Sequence, residues 1–219
     1  MVENGVRLAD IGTDHGYLVI RLLQDGIVSG AVAADIRPGP LSRARENVRE
    51  AGAEGVSFRL CDGLAGISPE EADTIVIAGM GGETIAGILD RAPWTKMDKQ
   101  LLLQPMSRAE ILRKFLAENG YRILEERIVE DAGKLYSVLR AVGGESEAYN
   151  ESEYRVGRYD LICRERLFLP LIEQQEKKIS TALKGLAISD REEDQARRQY
   201  LGLVLSQLME MREKYAESK

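Results

Sequence analysis

Apolar and polar residues alternate along the first two thirds of this chain with two distinct periods. Short apolar runs at 6–11, 31–35, 56–60, 73–78 and 99–104 have the length of buried strands. The stretches between them carry apolar residues at helical spacing, as in Leu18, Ile20, Leu22 and Leu23. Strand and helix in alternation predict a parallel sheet covered by helices on both faces. The helix ends carry their own signals. Pro38-Gly39-Pro40 precedes a helix over 41–51, and Gly52 sits where a C-terminal glycine belongs. Ser107-Arg108-Ala109-Glu110 reads as a capping box opening a helix over 111–119, which Gly120 closes. Strands at 121–130 and 134–142 follow directly, joined by Asp131-Ala132-Gly133, and so short a connection makes them an antiparallel hairpin. The expected fold is α/β: a Rossmann-like sheet of seven strands, the last one antiparallel.

The pattern changes at Gly143-Gly144-Glu145-Ser146-Glu147, which reads as a boundary between a domain at 1–143 and a helical appendage at 144–219. In the appendage, Leu201, Val204, Leu208, Met211 and Tyr215 step by three and four, the seam of a coiled coil. Leu161, Phe168, Ile172, Ile179, Leu183 and Leu186 form a looser stripe upstream, and Ser189-Asp190-Arg191-Glu192 is a second capping box. A coiled-coil-like hairpin of two antiparallel helices accounts for this, as do two extra helices covering the first domain. A monomer is expected, with a dimer through these helices as the alternative.

Composition narrows the class. The 219 residues are 44% hydrophobic and 30% charged, as in a globular protein with a real core. No run of about 18 apolar residues exists to cross a membrane. The first residues show no signal peptide. Two distant cysteines, Cys61 and Cys163, are expected as reduced thiols in the cytoplasm. The single histidine, His15, excludes a multi-histidine metal site, and Arg21 stands where a calcium loop needs its bidentate Glu, so no metal is expected. Net charge is −6: residues 1–143 hold 17 basic and 21 acidic side chains, residues 144–219 hold 13 and 15. Neither part is the basic body that grips nucleic acid by bulk charge, so an RNA substrate would need local basic patches.

The first strand ends in Ala-Asp-Ile-Gly-Thr-Asp-His-Gly-Tyr at 9–17 and opens a helix, which is a nucleotide-binding corner. The dinucleotide fingerprint fails, because positions 14 and 17 are Asp and Tyr rather than Gly. Two carboxylates here, Asp10 and Asp14, would repel a pyrophosphate and attract a cationic ligand, a description that S-adenosyl-L-methionine fits. The second strand ends in Asp35, placed to accept from two ribose hydroxyls. The third ends in Cys61-Asp62-Gly63, where Asp62 can accept from an adenine amino group. The fourth runs into Gly79-Met80-Gly81-Gly82, whose backbone lets a planar substrate approach closely. Gln104-Pro105-Met106 ends the fifth with an amide able to read a base edge.

These motifs, with Gly120-Tyr121, Glu126 and Gly133-Lys134-Leu135-Tyr136, closely resemble the bacterial tRNA (adenine(22)-N(1))-methyltransferases, the TrmK family. The resemblance spans nearly the whole chain. It implies a class I methyltransferase fold that binds S-adenosyl-L-methionine and methylates N1 of an adenine at position 22 of tRNA, in the D-loop region. It also implies a helix ahead of the first strand, where only a few residues precede Val6, and Glu at the position of Asp35. The expected cofactor set is Asp10, Gly12, Thr13, Asp14, Asp35, Ile36, Cys61, Asp62, Gly63, Ala78, Gly79 and Met80. The expected substrate set is His15, Gly81, Gly82, Gln104, Pro105, Arg7 and Arg108. Asp10 and Asp14 are the expected catalytic carboxylates, Asp10 organising the cofactor and Asp14 facing the base. Arg37 and Arg43, and Arg155, Arg158, Arg164 and Arg166 in the appendage, are further candidates for RNA contacts. Two other classes stay open: a methyltransferase of a small molecule or protein, and a non-catalytic binding protein that recruits partners through its coiled coil.

Overall fold

Seven strands form one sheet in the computed structural model, which describes residues 1–187 and 191–218. They are β1 (Val6–Ile11), β2 (Val28–Asp35), β3 (Val56–Leu60), β4 (Thr74–Gly81), β5 (Gln100–Ser107), β6 (Tyr121–Asp131) and β7 (Lys134–Gly143). Their order is β3-β2-β1-β4-β5-β7-β6. The pairs from β3 across to β5 are parallel and β7 runs antiparallel to β5. From β1 the chain builds outward to β3, then returns to place β4 on the other side of β1. The carboxyl ends of β1 and β4 therefore flank the crevice where an open α/β sheet takes its ligand.

Helices α1 (Tyr17–Gln24), α2 (Pro38–Glu50), α3 (Gly82–Asp90) and α4 (Ala109–Glu118) join the strands. Successive strand residues point to opposite faces, and both faces are covered. Leu8, Val76 and Leu102 form one core with Val19 and Leu22 of α1. Ile75, Ile77, Leu101 and Leu103 are fully buried on the other face, as are Ile85 and Leu89 of α3 and Leu112 and Leu116 of α4. Pro38 starts α2, and Gly52 and Gly120 follow α2 and α4 as expected. The capping box at Ser107 does not form. Ser107 is still in β5, paired with Gly81, and Arg108 caps α4 in a left-handed conformation (φ 57°) with no side-chain bond.

By internal contact the chain divides into two units, Met1–Glu125 with Val138–Glu147, and Glu126–Ser137 with Ala148–Lys219. A cut at residue 143 thus misplaces the outer arm of the β6–β7 hairpin, because Ile128 and Leu135 pack into the helical cluster. The second unit contains α5 (Glu151–Val156), α6 (Tyr159–Ile162), α7 (Phe168–Leu186) and α8 (Glu192–Glu217). No helix was expected at α5, although its capping box is written in the sequence: the Asn150 side chain accepts from the Glu153 amide (2.9 Å) while Glu153 accepts from the Asn150 amide (3.1 Å). Leu201, Val204, Leu208 and Met211 are buried with Phe168, Ile172 and Ile179. Phe168 meets Tyr215 at 4.8 Å and Glu176 meets Arg212 at 3.0 Å, so α7 and α8 run antiparallel. The second capping box begins at Ser189 and Asp190, outside the described residues. Among the described residues no helix is long and apolar enough to cross a membrane, and no cluster of His, Cys, Asp and Glu is suited to a metal ion.

Candidate functional site

The carboxyl edge of the sheet in the first unit gathers most of the candidate residues. After β1 the chain turns at Gly12 (φ 83°), a left-handed conformation that glycine adopts without strain. The amides of Gly12 and Thr13 donate to the Ala34 carbonyl at 2.8 and 3.0 Å, tying the turn to β2. A Cβ built on Gly12 would lie 2.2 Å from Met80 Cε, so the tip of β4 lies directly on this turn.

Asp10 and Asp14 occupy opposite environments. Asp10 is only 8% exposed, and burial pushes its carboxyl up to about 6, against a smaller opposing effect of the Thr13 hydroxyl. Thr13 is itself buried, and among the described residues its Oγ1 has no partner that meets hydrogen-bonding geometry. Among the described residues no basic side chain pairs with Asp10. A buried carboxylate and an unpartnered hydroxyl side by side are a receptor for a cationic, hydrogen-bonding group. Asp14 is exposed and already in contact with the Arg43 guanidinium, Nη2 at 3.2 Å, and His15 Nε2 lies 3.3 Å away. The His15 ring stacks on Tyr17 (5.3 Å between centroids, 11° between planes), and Asn47 fixes the His15 carbonyl.

At the tip of β2, the buried Asp35 accepts from the Arg37 amide at 2.7 Å, which holds one carboxylate oxygen and directs the group past the strand end. The Ile36 side chain beside it is exposed. At the tip of β3, Cys61 Sγ contacts the Gly63 carbonyl, and the exposed Asp62 pairs with Arg91 at 3.2 Å. The tip of β4 is irregular. Ala78 pairs with Gln104 and Met80 with Pro105, leaving Gly79 (φ 77°) as an extra residue. Its amide donates to Gln104 Oε1 at 2.9 Å. A Cβ on Gly82 would lie 2.2 Å from the Arg108 carbonyl oxygen, so only glycine lets α3 start against the end of β5. Arg108 pairs with Glu83 at 3.3 Å.

Arg7 does not belong to this set. It lies near the amino end of β1, where it grips Asp73 through Nη2–Oδ1 at 2.6 Å and Nε–Oδ2 at 3.0 Å and also reaches the Glu70 carbonyl. That guanidinium lowers the Asp73 carboxyl to about 2. A cavity of about 440 Å³ lies at the same amino edge, lined by residues including Asp73, Lys96, Gln100 and Arg140, and no expected site residue lines it. Sequence reasoning missed the exposed rim of the carboxyl edge. Tyr17 is 67% exposed, and Leu18, Leu60 and Met106 are exposed too. Periodicity grouped Leu18 and Leu60 with the apolar positions of α1 and β3, so only their place at element ends could have marked them, whereas Tyr17 and Met106 belong to the motifs already singled out at 9–17 and 104–106.

A sequence model of the tRNA (adenine(22)-N(1))-methyltransferase family matches residues 8–210. The chain belongs to the TrmK family. It is 40% identical over 149 residues to the tRNA (adenine(22)-N(1))-methyltransferase of Bacillus subtilis, a match covering 67% of this chain and 63% of that protein. The chain thus spans less than two thirds of this curated TrmK relative. The crystal structure of the Bacillus subtilis TrmK superposes with a TM-score of 0.86 at 31% identity, covering 96% of this chain and 93% of that one. A Streptococcus pneumoniae relative solved with S-adenosyl-L-methionine superposes with a TM-score of 0.77 at 31% identity, covering 94% of each chain.

Proposed function

We propose that this chain transfers a methyl group from S-adenosyl-L-methionine to N1 of an adenine at position 22 of tRNA, in the cytoplasm. The observation that carries the reading is the buried, cation-free Asp10 beside the unpartnered Thr13 hydroxyl, at the turn that Met80 overlies. When bound, S-adenosyl-L-methionine supplies an activated methyl group on a positively charged sulfur. Asp10 and Thr13 bind its cationic end, Asp35 accepts from the ribose hydroxyls, and Asp62 accepts from the adenine amino group while Ile36 covers the ring. Gly12, Asp14, Cys61, Gly63, Ala78, Gly79 and Met80 complete the surround.

Adenine N1 carries a lone pair in the ring plane, so it attacks the methyl carbon directly as the carbon–sulfur bond breaks. The chain therefore accelerates the step by alignment, holding base and donor in line. Asp14, exposed at the turn, stabilises the positive charge that arrives on the base, with His15 beside it. Gly81, Gly82, Gln104, Pro105 and Arg108 form the substrate side, where the extra residue in β4 lets backbone come close to a planar ring.

Incubation with unmodified tRNA and mapping of the methylated nucleoside tests the assignment. The expected product is 1-methyladenosine at position 22. Asp14→Ala should lower turnover on the order of 10²-fold, a larger loss than any in cofactor affinity. A methyl group elsewhere, or a wild-type rate for the variant, contradicts it. The acidic balance of both parts of the chain favours one rival, a methyltransferase of a small molecule or protein. A tRNA affinity that falls steeply with salt supports the RNA reading, and flat, weak binding supports the rival.

A further inference from the structure

The irregular pairing of β4 with β5 fixes one side chain in a way that the sequence does not reveal. The extra residue Gly79 takes its amide out of the strand ladder, and a backbone N–H without a partner is costly. Gln104, opposite Ala78, supplies the missing acceptor: its Oε1 receives the Gly79 N–H at 2.9 Å. A backbone amide only donates, so the oxygen of the Gln104 carboxamide must face it and the NH2 group must face away. Among the described residues Nε2 meets only the Met106 sulfur at 3.6 Å, a weak acceptor, and Gln104 is half-buried at the carboxyl edge.

We propose that Gln104 is a specificity-determining residue that presents a donor, and no acceptor, to the substrate base. The proposal rests on the methyltransferase reading above. A freely rotating glutamine could offer either end of its amide and would read little. Here the bulge at Gly79 locks the orientation, so the side chain recognises an in-plane acceptor. In adenine the ring nitrogens N3 and N7 qualify, because N1 must keep its lone pair for the methyl group. N7 has no counterpart in a pyrimidine, whereas N3 is matched there by the carbonyl oxygen O2. The strand irregularity and the recognition are thus one device: the bulge opens the backbone to the ring and also orients the group that reads it.

Two variants separate recognition from support of the bulge. Gln104→Glu keeps an oxygen for the Gly79 amide and removes the donor. Gln104→Leu removes both. The substrates are tRNA transcripts carrying adenosine, 7-deazaadenosine or 3-deazaadenosine at the target position, assayed for kcat and KM alongside cofactor affinity and melting temperature. Gln104→Glu should keep the melting temperature and cofactor affinity of the wild type and lose about tenfold or more in kcat/KM on the adenosine transcript. One of the two deaza transcripts should cost the wild type a similar factor and cost Gln104→Glu little further. Gln104→Leu should also lower melting temperature or cofactor affinity. Losses that multiply independently for both deaza transcripts overturn the assignment while the methyltransferase reading stands. A wild type that methylates no tRNA removes both.

Discussion

Asp10 shows how a single residue couples the site to pH. Its folded-state carboxyl releases its proton near 6, whereas an exposed carboxyl does so near 3.8. Between those values the native chain binds more protons than the unfolded one, so stability falls as pH rises through that window. Above 6 the full penalty of an ionised, buried carboxylate is present, on the order of 3 kcal/mol. Ligand-free Asp10→Asn should therefore melt above the wild type at pH 8 and close to it at pH 4. Equal melting temperatures at pH 8 would contradict the burial argument. A cationic ligand prefers the ionised carboxylate, so wild-type affinity for S-adenosyl-L-methionine should drop by up to about tenfold per unit below pH 6, measured by calorimetry. At this scale much was legible in advance. Asp10, Asp35 and Asp62 each follow an apolar run, and each lies at the carboxyl end of a strand. Arg7 was misread because it is the second residue of β1, so its side chain leaves the sheet at the opposite edge. The commitment of Gln104 to Gly79 was invisible, since a one-residue bulge leaves no trace in a hydrophobic period.

At the scale of elements, all seven strands and the four connecting helices were readable, because burial on both faces imposes long apolar runs between amphipathic turns. The stretch between β3 and β4, also expected to be helical, forms only a short 3-10 helix at Pro69–Glu71. Boundaries fared worse where backbone geometry overrode side-chain chemistry. Ser107 looks like a helix cap, yet ladder pairing with Gly81 keeps it in β5 and the left-handed Arg108 makes the turn instead. The seam of α8 was also readable, since Leu201, Val204, Leu208 and Met211 repeat at helical spacing and all are buried. Leu208 is fully buried in that seam, so Leu208→Ala should cost about 2–5 kcal/mol in urea unfolding of the helical unit. A loss below about 1 kcal/mol would mean that the cluster collapses around the gap or is not packed.

For the molecule as a whole, alternation of strand and helix conveyed the architecture, and the change of pattern near residue 143 marked the helical region. The assignment of the hairpin's outer arm could not be read. A period of two says that residues 126–137 form strands but not which core their apolar faces join, and Ile128 and Leu135 join the helical one. The backbone consequently passes between the two units three times, after Glu125, Ser137 and Glu147. No single proteolytic nick can liberate either unit intact. A polypeptide ending at Glu147 would carry Ile128 and Leu135 stripped of their neighbours and should self-associate in sedimentation. The same polypeptide with residues 126–137 replaced by a two-residue turn should stay dispersed, so isolating the first unit requires two surgical edits, not one.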